Sequence, residues 1–230
     1  MVAPRSPTLA VRVRGPLACF TRPETKVERV SYQVMTPSAA RGILEAVLWK
    51  PAICWRVQRI RVLAPIRFTA FRRNEVSTRA ALPAAAVVSG GGAAPLYFAD
   101  DDRAQRNTVA LRDVDYVIEA RFEMTDRAGP QDNILKFEEM FRRRVEKGQH
   151  FHQPCLGCRE FAAHVTPADD APAPIAETRD LGLMLWDILY KPDGNQAVFF
   201  PAALKEGVLE VPQDPEALLA AAKTKGGEAT

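Results

Sequence analysis

The strongest constraint on the fold is an alternation of two hydrophobic periods along residues 8–165. Thr8 to Arg14 has a period of two, with Leu9, Val11 and Val13 on one face and Arg12 and Arg14 on the other. That pattern predicts a half-buried strand with a basic outer face. Thr36-Pro37 then opens a stretch of helical period. Thr36 is placed to cap, Pro37 suits the first helical position, and Pro51 stops the run. Ala40, Ile43, Leu44, Val47 and Leu48 form its apolar stripe.

Trp55 to Phe71 reads as one or two strands with a break or edge at Pro65. Val57 and Ile60 share a face only if a bulge intervenes. Val109 to Met124 alternates most clearly. Val114, Tyr116, Ile118, Ala120, Phe122 and Met124 line one face, and Asp115, Glu119, Arg121 and Glu123 the other. A second helix is predicted from about Asp132, as its cap, to Lys147, with Gly148 ending it and Ile134, Phe137, Phe141 and Val145 as its stripe. A strand near Glu160 to Val165 closes the series.

The order is β-α-β, an insertion at about 80–107, then β-α-β. It predicts an α+β fold with a ferredoxin-like or RRM-like domain over residues 1–165. The insertion is Ala/Gly-rich, contains Gly90-Gly91-Gly92, and has the length of a functional loop. After a Pro/Ala/Asp linker, Leu183 to Tyr190 and Ala197 to Phe200 flank Pro192-Asp193-Gly194, a turn signature. Residues 166–230 therefore read as a small antiparallel β domain with a tail that starts a short helix at Asp214.

Charge is distributed unevenly. The net is only +3, yet residues 1–80 hold 15 basic and 4 acidic side chains while residues 166–230 hold 5 and 11. Such asymmetry points to a polyanion partner. Arg outnumbers Lys by 23 to 8, and its planar fork matches phosphate and base edges. Phe20, Arg22, Lys26, Arg29 and Tyr32 interleave rings with cations, as do Phe68, Phe71, Arg72 and Arg73. Single-stranded RNA is bound by that combination of stacking and phosphate tracking; an ordinary basic surface is the alternative.

Other classes are set aside. No apolar run reaches the ~18 residues of a membrane span, and Met1 to Pro7 lacks the apolar core of a secretory signal. Four cysteines are too few for a disulfide scaffold, so a reduced, cytoplasmic protein is expected. His150, His152, Cys155 and Cys158 are zinc-ligand types, but the two pairs lie too close in sequence to converge as a tetrahedron. They are read as a solvent-edge loop, with no metal and no cofactor expected. Nucleotide-binding, nucleophile-elbow and metalloprotease motifs are absent from the sequence.

Several blocks resemble one family. They are the run from Ala18 to Tyr32, Thr36 to Pro51 with its Trp49-Lys50-Pro51 end, Pro65-Ile-Arg-Phe68, Arg72-Arg-Asn-Glu-Val76, Gln105-Arg-Asn107, Glu138-Glu-Met-Phe141, Leu156-Gly-Cys-Arg-Glu-Phe161 and Gly207-Val-Leu-Glu-Val-Pro212. Together they resemble CRISPR-associated (Cas) protein family five, subtype d (also called c), of type I-C systems.

The resemblance implies a subunit of the crRNA-guided surveillance complex, Cascade, with its backbone and large subunits as partners and target DNA reached through the complex. It implies a metal-independent endoribonuclease that cuts repeat RNA beside a stem-loop and stays on the 5′ handle. Its partners in the family site are a Tyr, a Lys and a His. The Lys corresponds to Lys136, while Leu48 stands at the Tyr position and Phe137 at the His position.

Two readings follow. In one, Lys136 works with Tyr32, His150 or His152 as substitutes. In the other, the chain is a non-cleaving cap on the handle. The first is the expectation carried forward. The handle is expected across Phe20, Arg22, Lys26, Arg29, Tyr32, Arg41, Arg72 and Arg73, with the insertion as a thumb toward a backbone subunit. A standalone RRM-type RNA-binding regulator is the reading from another class.

Overall fold

The computed structural model describes residues 3–25, 27–79, 82–90, 96–191, 194–214 and 217–218. Lys26, most of the tail after Asp214, and parts of the insertion lie outside them.

The first strand, β1 (Leu9–Ala18), buries Leu9, Val11 and Val13 as the alternation requires, and runs four residues past Arg14. A two-residue strand, β2 (Arg29–Val30), follows. In α1 (Pro37–Val47), the Thr36 hydroxyl accepts from the Ala39 backbone N–H, Pro37 takes the first turn, and Leu48 caps the end. Its whole expected stripe is buried.

Next come β3 (Ile53–Val62) and β4 (Phe68–Val76), separated around Pro65. The bulge demanded by Val57 and Ile60 is present, as a register shift between Val57 and Arg59 against the neighbouring strand. A short helix α2 (Ala85–Gly90) and a 3₁₀ turn (Ala99–Asp102) occupy the insertion.

The longest element is β5 (Arg103–Met124), 22 residues. It starts inside the expected insertion: Arg103 to Leu111 pair with β4. That polar half of the strand has no apolar alternation to announce it.

The second helix, α3 (Ile134–Glu146), starts later than expected. Asn133, not Asp132, caps it by accepting from the Lys136 N–H. Asp132 instead accepts from Gly129 N and binds the Lys136 ammonium. The final strand of this half, β6 (His164–Pro167), also lies later than Glu160–Val165. The C-terminal part forms β7 (Arg179–Lys191), β8 (Gly194–Lys205) and β9 (Val208–Glu210).

All strands belong to one sheet, ordered β6-β1-β5-β3-β9-β8-β7, with β2 and β4 also paired to β5. The strands of the two β-α-β halves interleave, every pair along that path being antiparallel. β9 pairs with β3, so the C-terminal strands prolong the same ladder. Residue 165 falls inside β6.

On the helix side, Trp55 packs at 4.7 Å on Phe141 and at 5.4 Å on Phe122, and Phe122 meets Phe137 edge-on. Trp55 Nε1 donates to the Leu48 carbonyl, so the core also fixes the end of α1.

The polar side carries a ladder of ion pairs. Arg12 binds Asp115 through two contacts, Arg56 binds Glu123, and Arg59 and Arg61 share Glu119. The basic first third thus meets acids of the middle third in space. Part of the charge asymmetry along the sequence is therefore neutralised on this face of the sheet. Among the described residues no helix is long and apolar enough to cross a membrane.

Candidate functional site

Lys136 sits at the start of α3, beside the segment Lys50 to Ala52 that follows α1. Thr125 ties the two regions together, donating from Oγ1 to the Pro51 carbonyl and from its N–H to that of Ala52. Lys136, exposed in the first turn of α3, places its Nζ 2.9 Å from Asp132 Oδ1 and 5.5 Å from the centre of the Phe137 ring. The Lys136 hydrogen bond and the Gly129 N–H hold the Asp132 carboxyl below the usual carboxylate range, and the Lys50 ammonium adds to this. Lys136 is thus bound to a carboxylate whose charge Lys50 also favours.

Leu48 and Phe137 are buried, as core residues. Trp49, between Leu48 and Lys50, is 56% exposed.

Among the described residues, the structure shows no contact joining Lys136 to Tyr32, His150 or His152. Tyr32 is in the core, and burial pushes its phenol above the usual range. His150 and His152 follow the far end of α3. The helix C-cap, Lys147, lies eleven positions beyond Lys136, ~16 Å at 1.5 Å per residue. His152 opens onto a cleft of about 430 Å³ between α1 and β7, whose lining includes Phe20, Ser38, Arg41 and Asp187. His150 lines a separate cleft of about 170 Å³ with Arg144, Gln153 and His164.

The expected RNA-contacting residues divide into groups. Phe20 is buried, edge-on to Tyr116 at 6.2 Å, so neither it nor Tyr32 offers a free face for stacking. Arg22 lies over the Tyr32 ring at 4.8 Å and reaches Glu24. Arg29 and Arg73 converge on Glu75 and Glu160. Arg41 is engaged by Asp187 and Glu45. Burial opposes its charge, but the Asp187 hydrogen bonds outweigh that and hold its pKa above the ordinary range. Arg72 is exposed on β4 and has no ion-pair partner among the described residues. Lys26 lies outside the described residues.

The cysteines also find partners within the protein. Arg29 donates to Cys158 Sγ at 3.5 Å, and Cys158 lies 3.7 Å from the Cys19 carbonyl. Hydrogen bonding to Cys19, helped by Arg29, draws the Cys158 thiol down to about 6, while Cys19 moves up. No cluster of three or more metal-ligand side chains occurs among the described residues.

Sequence reasoning missed Asp132 as the partner of Lys136, and Asp187 and Glu160 as the counter-ions of the arginines. Lys50 and Trp49 were present in the Trp49-Lys50-Pro51 block but had no role there. Phe151 carried no periodic signal.

A family model described as CRISPR-associated protein (Cas_Cas5), subtype Cas5d, matches residues 8–212. The chain belongs to the Cas5d family. This Cas5d chain is 50% identical over 216 residues to the CRISPR pre-crRNA endoribonuclease Cas5d of Mannheimia succiniciproducens, covering 89% of the chain and 94% of that relative. It is 42% identical over 224 residues to the protein of the same name from Thermus thermophilus, covering 90% and 92%. A solved structure titled as a CRISPR-associated protein shares the fold, with a TM-score of 0.68, 23% identity, and coverage of 92% of this chain and 95% of the other. The Cas5d match takes in all three α-helices, Lys136, and the C-terminal strands through Glu210.

Proposed function

We propose that this Cas5d chain binds the repeat RNA of CRISPR transcripts, cleaves pre-crRNA without metal, and remains on the crRNA 5′ handle as a type I-C Cascade subunit. The observation that carries this is near full-length identity of 50% and 42% to two proteins named pre-crRNA endoribonucleases. In this reading residues 1–165 act as an RRM-like RNA-binding domain and residues 166–230 as a small β domain. The insertion at 80–107 is a thumb against a backbone subunit, and the protein works in the cytoplasm.

The chemistry asks little of the protein. A ribose 2′-oxygen attacks the adjacent phosphorus, the P–O5′ bond breaks, and the products carry a 2′,3′-cyclic phosphate and a free 5′-hydroxyl. The nucleophile is already in the substrate, so alignment and stabilisation of the phosphorane charge dominate. Lys136 supplies the cation for that charge. Asp132 accepts a hydrogen bond from its ammonium and aims it, acting as a positioning residue, and Lys50 adds a second positive group. The buried phenol of Tyr32 and the remote His150 and His152 make poor substitutes for the family Tyr and His.

A second reading, a non-cleaving 5′-handle cap, is favoured by one observation: Leu48 and Phe137, at the family Tyr and His positions, are both core residues.

Incubation of the purified chain with its own repeat RNA in EDTA separates them. The nuclease reading expects one cut leaving a cyclic phosphate. Cleavage is lost in Lys136→Ala and reduced about tenfold in Asp132→Asn, with binding retained. Bound but intact RNA supports the cap. Purification without backbone and large Cascade subunits would support a standalone regulator instead.

A further inference from the structure

We propose that Trp49, just after α1, and Phe151, in the loop after α3 that bonds to the last turn of α1, are two base-stacking platforms for single-stranded RNA. The inference rests on the RNA-binding reading above and adds residues to it.

Single exposed apolar side chains are ordinary. These two differ in support and setting. Phe151 is 80% exposed, yet its backbone N–H donates to the Ala46 carbonyl at 2.8 Å, in the last turn of α1. Gln149 N–H donates to the Arg144 carbonyl at 2.7 Å, and the His152 ring meets Phe151 edge-on at 6.0 Å. Trp49 is 56% exposed one residue after Leu48, which is itself buried and held through its carbonyl by Trp55. Both rings are thus presented on rigid backbone, so little conformational freedom remains to be lost when a base stacks.

The charge around them selects the occupant. Lys50 follows Trp49. Arg144 donates to the Val47 carbonyl at 2.6 Å, lying along the same end of α1. Arg143 and Lys147, on the α3 end that leads into Phe151, have no ion-pair partner among the described residues. Rings beside cations that include the unpaired Arg143 and Lys147 fit stacked bases and their phosphates. This is the combination that sequence reading assigned to Phe20 and Tyr32, whose rings are buried.

The test is the affinity of the full chain for its own repeat RNA, measured by fluorescence anisotropy across a salt series. Trp49→Ala and Phe151→Ala should each weaken binding roughly 5- to 150-fold, the equivalent of about 1–3 kcal/mol per stacked base. The slope of log affinity against log salt should not change, because no phosphate contact is removed. Phe151→Tyr should restore wild-type affinity. Alanine variants that keep the wild-type Tm and bind RNA as the wild type does would overturn the inference and leave the rings as a protein-docking surface. A wild-type chain that fails to bind its repeat would overturn the RNA-binding reading itself.

Discussion

Arg41 and Asp187 form a two-pronged ion pair, Nε and Nη2 meeting the two carboxylate oxygens at 2.9 and 2.8 Å across 146 residues of sequence. It fastens the second turn of the first helix to the C-terminal hairpin, and Glu45 closes the other side of the guanidinium.

Both partners are largely shielded from water, so removing one leaves the other only partly satisfied, Arg41 by Glu45 or Asp187 by the Ile188 N–H. Arg41→Ala or Asp187→Ala should cost about 3 kcal/mol. At ~2–4 °C per kcal/mol for a chain of this size, that lowers Tm by roughly 6–12 °C. The double variant should lose clearly less than the sum, as coupled neighbours do. Thermal melts of the four proteins check this. The salt dependence of RNA binding should be unchanged in Arg41→Ala, because that charge is already neutralised internally.

Gly157 has φ +86°, and a Cβ there would sit 2.0 Å from the Cys19 carbonyl oxygen. Backbone on both sides of the contact leaves nothing flexible to yield. Gly157→Ala should destabilise by at least about 2 kcal/mol, from positive-φ strain alone. The melt should fall by roughly 4–8 °C. Gly42→Ala is the control, since nothing lies within 4 Å of its added Cβ.

Cys158 gives a pH signature. Its thiol is drawn down to about 6, so the thiolate population rises as pH climbs through 6 and is nearly complete by neutrality. Burial pushes Cys155 the other way, leaving it protonated there. Alkylation followed by mass spectrometry should therefore modify Cys158 at pH 7 well before Cys155, with the rate falling below pH 6. In Arg29→Ala the onset should move to higher pH, because a donor to the thiolate is removed.

How much of this was legible in the sequence depends on the range of the interaction. Period and caps are local, so β1, α1, the β3 bulge and the core half of β5 were readable from spacing alone. Asp132 and Asn133 are equally good caps, and only the folded backbone, which aims the Lys136 N–H at Asn133 Oδ1, decides between them. The Arg103–Asn107 end of β5 carries no apolar alternation and is a strand because β4 lies beside it. Ion pairs such as Arg41–Asp187 join residues with no sequence relation, so a strongly basic first third was visible but its neutralisation was not. Rings within a basic run carry no period to tell inside from outside; Phe20 and Tyr32 faced inward while Trp49 and Phe151 faced solvent. Lys136 entered through resemblance alone.

One strand, β5, is the common partner of β1, β2, β3 and β4. A chain leaving the ribosome therefore exposes its first hundred residues as strands without their shared neighbour. β1 gains its register only when Leu111 to Ala120 emerge, and β3 only when Tyr116 to Met124 do. Synthesis of this protein thus passes through a long interval of unpaired edges, followed by near-simultaneous assembly around a single late-arriving segment.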